Sequence, residues 1–150
     1  MRVVVQRVSR AEVRVEGQIV GRIEQGLVLL VAIEDVDTSA DSEWLANKVV
    51  QLRIFDDERG VMNRSLLEIG GGILLVSQFT LLASTRKGSR PGWSRAARPE
   101  VAEPRFQAFQ FLLQDRLGRP IPTGIFGAEM EVQLVNEGPV TLMLDSRLRE

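Results

Sequence analysis

Two short stretches of the 150-residue chain carry the polar groups best placed to do chemistry. Ser77-Gln78-Phe79-Thr80 closes a long apolar run that begins at Ile73. Hydroxyls and an amide that break a buried strand need partners, because an unpaired buried polar group is costly. They either bond to neighbouring backbone or face a ligand together with nearby amides. The second stretch is Asn136-Glu137-Gly138-Pro139-Val140-Thr141. It reads as a hairpin turn, for which Gly and Pro are the expected residues. It also reads as a place where another molecule meets main-chain carbonyls. Gly138 has no Cβ to block such an approach, and an X-Pro bond turns cis, re-aiming adjacent carbonyls, for roughly 0.5–1 kcal/mol. A third stretch, residues 85–98, holds Arg86, Lys87, Arg90, Arg95, Arg98 and Trp93 and no acid. It is either a solvated face or a contact for phosphates and nucleotides.

What the chain lacks constrains this chemistry further. It has no histidine and no cysteine, which removes the usual general base near neutral pH, the thiolate nucleophile, disulfides and the commonest zinc ligands. Catalysis is left to hydroxyls, carboxylates, Lys or Arg, backbone groups, or a group that the substrate brings. The acidic pairs Glu34-Asp35 and Asp56-Asp57 read as turn residues, and neither a metal nor a cofactor is expected. A net charge of −1 does not suit a general polyanion binder, so any nucleic-acid contact should be a local patch.

The elements that must position these stretches follow from periodicity. Residues 12–16 alternate polar and apolar, Gly17-Gln18 signals a hairpin, and residues 19–23 return. The continuous apolar run 27–33 predicts a strand buried on both faces. Thr38 or Ser39 caps a predicted helix carrying Trp44, Leu45, Val49 and Leu52. A polar turn over 56–60 and Gly70-Gly71-Gly72 lead to a second long strand, predicted over 73–82. With Pro104 in an early turn, Phe106, Phe109, Phe111, Leu112, Leu113 and Leu117 predict an amphipathic helix that Gly118 ends. Residues 130–135 and 140–144 then read as two strands flanking a tight connection. The expected architecture is a single α/β domain over 1–150, in which layered sheets are covered by two main helices. Apolar and charged residues, at 44% and 26%, match a soluble globular chain. The longest apolar run is too short to span a bilayer, and charge breaks up the N-terminal segment where a signal peptide would be apolar. The expected compartment is therefore the cytoplasm, with no membrane contact.

In these segments the sequence resembles the D-aminoacyl-tRNA deacylase family. The likeness lies in Ser77-Gln78-Phe79-Thr80 and Asn136-Glu137-Gly138-Pro139-Val140-Thr141. It extends through Val5-Gln6-Arg7-Val8, Arg53-Ile54-Phe55, Thr85-Arg86-Lys87-Gly88 and Phe126-Gly127-Ala128-Glu129-Met130, essentially end to end. The resemblance implies a deacylase-type fold of β(2)-(β-α)2-β(3)-like order and a homodimer with active sites near the interface. It implies hydrolysis of the ester joining a D-amino acid, or glycine, to the 3′-terminal adenosine of tRNA. By resemblance, Ser77, Gln78, Phe79 and Thr80 hold the scissile ester and the adenosine. Gly138 and Pro139 would form a cis peptide whose carbonyls, reaching in from the neighbouring subunit, reject L-amino acids. Arg7, which secures that motif, is expected to bind substrate together with Asn136, Thr141 and Met130, the last near the adenine. The alternative is a protein that binds tRNA ends without turnover. Ser84 and Gly92-Trp93 depart from the family's usual acid and Ser-Phe, both within the basic loop, and bear on tRNA affinity.

Overall fold

In the computed structural model, which describes residues 1–149, the sheet is organised around one long strand, β1 (Arg2–Val15). One edge of β1 is shared: residues 2–8 pair antiparallel with β3 (Gly26–Ala32) and residues 11–15 with β2 (Gln18–Ile23). The other edge pairs along its length with β7 (Glu131–Asp145). β3 continues the sheet in parallel with β6 (Gly72–Ser77). At the start of that pair Gly26 lies opposite Gly72, so closely that a Cβ at 26 would overlap the Gly72 carbonyl.

The β3–β6 crossover contains α1 (Ser39–Gln51), a small hairpin of β4 (Phe55–Asp56) and β5 (Met62–Arg64), and the single turn α2 (Leu66–Ile69). Thr38 caps α1 as expected. Its N–H and hydroxyl both donate to Asp41 Oδ2, at 2.8 and 2.7 Å. After β6 come a 3-10 turn (Phe79–Leu82), the loop, and α3 (Pro99–Leu117), which ends at Gly118 in the left-handed region.

Both helices lie on one face of the sheet. Leu45 and Val49 of α1 and Phe106, Phe109 and Leu113 of α3 pack with Val3, Val5, Leu29 and Leu75. Val8, Ala11 and Val13 belong instead to a second cluster with Ile23, Val28, Leu74 and Val76. The change of face along β1 is a matter of phase. Val8 is out of step with Val3 and Val5. Ser9 is then an extra residue between the Val8–Asn136 and Arg10–Val135 pairs, so Ala11 and Val13 stay on Val8's side. The sheet thereby curls and buries both faces.

The structure corrects four expectations. The strand predicted over 73–82 stops at Ser77, and its last four residues form the 3-10 turn. Pro104 lies inside α3, and Pro99 occupies its start, where a missing N–H costs nothing. Phe111 is 73% exposed, off the helix's buried stripe. The two strands proposed around Asn136-Glu137-Gly138-Pro139 are a single strand, β7, both halves of which pair with β1. There is no hairpin, because Asn136 pairs with Val8 and Thr141 with Gln6, leaving Glu137, Gly138, Pro139 and Val140 bulged opposite Arg7 alone.

Candidate active site

The parallel strands β3 and β6 end side by side, and a cavity of about 510 Å³ opens beyond their carboxyl ends, where parallel strands commonly leave room for a ligand. Its floor is Val31, Ile33, Val76 and Ser77; Pro99, Ala102 and Phe106 of α3 form one wall, and Phe126, Met130 and Val132 another. Phe106 and Phe126 meet with ring centroids 6.0 Å apart. The 122–124 segment runs beside β6, with Leu75 N–H donating to Pro122 O and Gly124 N–H to Leu75 O, each at 3.1 Å. That places Gly124 directly under the Met130 sulfur, where a Cβ would collide.

Among the described residues no ionisable side chain lines the cavity, and its polar side chains are Ser77 and Gln78. Ser77 is the last residue of β6 and pairs with Val31. Gln78 breaks from strand geometry, at φ −146° and ψ 71°, while its N–H still donates to Val31 O at 2.7 Å. The chain then turns tightly, putting Phe79 on the rim and the Gln78 amide against the Thr80 hydroxyl, to which Nε2 donates. Ser77, Gln78 and Phe79 line the cavity, and Thr80 does not. Thr80 touches the site through Gln78.

A second cluster forms on the β1–β7 bulge. Arg7 is buried, at 7% exposure, and its Nε donates to Glu137 O at 3.1 Å while Nη1 donates to Ile54 O at 2.5 Å. Asp56 Oδ1 lies 3.5 Å from the guanidinium. Asn136 Nδ2 donates to the carbonyls of Arg7 and Val140, at 2.8 and 3.1 Å, and the Thr141 hydroxyl donates to Asn136 Oδ1 at 3.3 Å. These bonds span the bulge from both sides and present Gly138 and Pro139, joined by a cis peptide, at its exposed tip. None of Arg7, Asn136, Gly138, Pro139 or Thr141 lines the cavity of its own chain; Met130 does.

The basic loop is anchored at its ends. Ser84 and Gly92 exchange backbone hydrogen bonds of 2.8 and 2.9 Å, and Arg95 is bonded to Glu34 at 2.8 Å. In the acidic turn Asp57 accepts from the N–H groups of Arg59 and Val61 and from Asn63. Those bonds hold its carboxyl below the ordinary range. Among the described residues, no group of three acidic side chains converges as a metal site would require.

Sequence reasoning missed Pro99, Ala102 and Phe106 as cavity walls, because their apolar types signal only a helix face. Phe126 and Ala128 lay within the matched stretch ending at Met130, the one signal that pointed to them.

The chain matches the family model described as D-Tyr-tRNA(Tyr) deacylase over residues 4–145. It is 59% identical to a D-aminoacyl-tRNA deacylase of Opitutus terrae and 56% identical to one of Dechloromonas aromatica, each over 150 residues and the whole of both chains. Among solved structures it is similar to a c-Myc DNA unwinding element binding protein, with a TM-score of 0.90 and 38% identity over 97% of this chain and 98% of that one. A probable eukaryotic D-amino acid tRNA deacylase shares the fold, with a TM-score of 0.81 at 19% identity over 95% and 97% of the two chains. With a match of that length and identity, and the two sequence stretches folded into a cavity rim and a braced bulge, the chain belongs to the D-Tyr-tRNA(Tyr) deacylase family.

Proposed function

We propose that this protein is a cytoplasmic homodimeric hydrolase that cuts the ester between a D-amino acid, or glycine, and the 3′-terminal adenosine of tRNA, thereby proofreading translation. The observation that carries this reading is a largely apolar cavity, rimmed by Ser77, Gln78 and Phe79, with no titratable side chain among the described residues on its walls. Such a cavity suits an adenosine and a small ester, and relies on its substrate for acid–base chemistry.

The ribose 2′-hydroxyl next to the ester is the group to supply it. It positions and helps deprotonate a water, which attacks the carbonyl carbon. The tetrahedral oxyanion collapses, the bond to the 3′ oxygen breaks, and the proton passes to that oxygen, leaving free amino acid and a 3′-hydroxyl. Phe79, on the cavity rim, opens a 3-10 turn, so its N–H has no carbonyl partner within it, and in this reading it holds the oxyanion. Thr80 is poorly suited to be the nucleophile. Its oxygen accepts from the Gln78 amide, which draws electron density from it, and an amide cannot take its proton. The T80A enzyme should therefore keep measurable hydrolysis, whereas a substrate with 2′-deoxyadenosine at its end should lose nearly all of it. Complete loss with T80A and retention with the deoxy substrate would reverse the assignment.

Chirality is read by main chain in this proposal. The Gly138 and Pro139 carbonyls of a second copy would face the bound amino acid. An L side chain would point at those oxygens and a D side chain away from them; glycine offers nothing to reject. A filter made of carbonyls is indifferent to side-chain identity. Incubation with D-, L- and glycyl-tRNA tests this: the D and glycyl esters should be hydrolysed and the L ester spared. Equal hydrolysis of D and L esters would remove the filter. Binding without hydrolysis of any of them would favour a non-catalytic binder of tRNA ends, a reading that gains some support from the nucleic-acid-binding description of one structurally similar protein.

A further inference from the structure

Two aromatic rings stand at the cavity mouth without a role in the ester chemistry. Phe79 lines the cavity yet is 56% exposed, and Trp93, 40% exposed, meets it edge to face with ring centroids 5.7 Å apart at 69°. Trp93 is held there by its position next to the Ser84–Gly92 clamp, and Ala96 N–H bonds back to Trp93 O at 3.0 Å. Between the clamp residues the loop projects, and Arg86, Lys87 and Arg90 are exposed on it. Among the described residues no carboxylate forms an ion pair with any of the three, whereas Arg95, at the loop base, is taken by Glu34. In a chain of net charge −1 this is a concentrated cationic segment, continuous with the cavity through Phe79.

We propose that this mouth is a landing for the unpaired 3′ strand of tRNA. The base preceding the terminal adenosine stacks on the Phe79–Trp93 pair, and the phosphates leading away from it meet Arg86, Lys87 and Arg90. The occupant is fixed by the deacylase reading on which this inference rests, since an adenosine seated in the cavity leaves its strand to exit past Phe79. The chemistry suits that strand. Every base offers a flat face to an aromatic ring, and exposed cationic side chains follow a backbone without reading sequence.

Because Trp44 is the other tryptophan, a W44F protein reports on Trp93 alone. This protein is titrated with an uncharged RNA hairpin carrying a single-stranded CCA end, and with the same hairpin lacking that overhang. Trp93 emission should be quenched by the first and unchanged by the second. W93F should bind the overhang as the parent does and W93L more weakly. R86Q/K87Q/R90Q should bind about tenfold more weakly or worse, and its plot of log Kd against log salt should be flatter by roughly 0.7 for each phosphate that is no longer neutralised. A silent Trp93, or equal quenching with and without the overhang, overturns the proposal. Hydrolysis of D-aminoacyl-tRNA is measured alongside. Silent Trp93 with intact hydrolysis sinks this inference alone, and quenching without hydrolysis sinks the deacylase reading while the landing stands.

Discussion

Met130 is set on the cavity wall by a neighbour that contributes no side chain. A methyl group at Gly124 would occupy the space of the Met130 sulfur, and the thioether is flexible enough to yield. G124A should therefore displace Met130 into the cavity rather than unfold the protein. The expected result is a KM raised several-fold with kcat little changed, and a stability loss of about 1 kcal/mol or less by denaturant titration. An unaltered KM would show that Met130 does not bound the substrate. Gly124 could not be found from sequence, since it is significant only where the 122–124 segment crosses beneath Met130. Ser77 and Gln78 could, because polar residues at the end of an apolar run demand partners. The brace that Arg7 supplies was implied by resemblance, but that Asn136 and Thr141 share it took coordinates to see: their side chains bond to the carbonyls of Arg7 and Val140 and to each other across the bulge.

Helix α1 begins with a carboxylate that accepts both donors of its cap. Burial pushes the Asp41 carboxyl up, but the hydrogen bonds from the Thr38 hydroxyl and backbone, with help from Ser146 and the chain's ammonium, outweigh it and hold the group at about 2, against an ordinary 3.8. A carboxyl whose folded value is depressed contributes stability above its unfolded value and loses it as the pH falls through the folded one. Wild type should thus exceed D41N in stability at neutral pH by about 0.3–1 kcal/mol, as a charge at an exposed helix start does. The difference should shrink between pH 4 and pH 2, as followed by urea unfolding at each pH. A gap that is constant over that range would mean that Asp41 acts through shape alone. The helix and its cap were legible because Thr38 and Asp41 are local partners. So were β2 and β3, whose periodicity needs no tertiary knowledge. The long final strand was not. A four-residue bulge containing Gly and Pro has the composition of a hairpin, and only β1, running continuously beside both halves, distinguishes them. The single extra residue at Ser9 was equally hidden, since a shift of phase in a period of two looks like noise along one chain.

At the scale of the whole molecule, the two sequence stretches do not meet. The cavity carries Ser77, Gln78 and Phe79, whereas Gly138 and Pro139 stand at the tip of a bulge braced against Ile54 and Asp56, and neither lines the cavity of its own chain. If both stretches serve one reaction, a second copy must bring the bulge. In a two-fold dimer each copy then gives its cavity to one site and its bulge to the other. Subunit complementation follows from that geometry. Let one inactive variant carry F79P, which removes an N–H oxyanion donor at the cavity rim, and another G138W, which fills the other copy's cavity from the bulge tip. A mixed dimer places both lesions in one site and leaves the other site wholly wild type. Equal amounts of the two, unfolded and refolded together, give half mixed dimers with one intact site in two, so about a quarter of wild-type activity should return. Each variant refolded alone should stay inactive, and sedimentation should show dimers throughout. If cavity and bulge worked within one chain, every site in the mixture would carry a lesion and no activity would return. Recovery of a quarter, rather than none, is the quantity that separates a shared site from two independent ones.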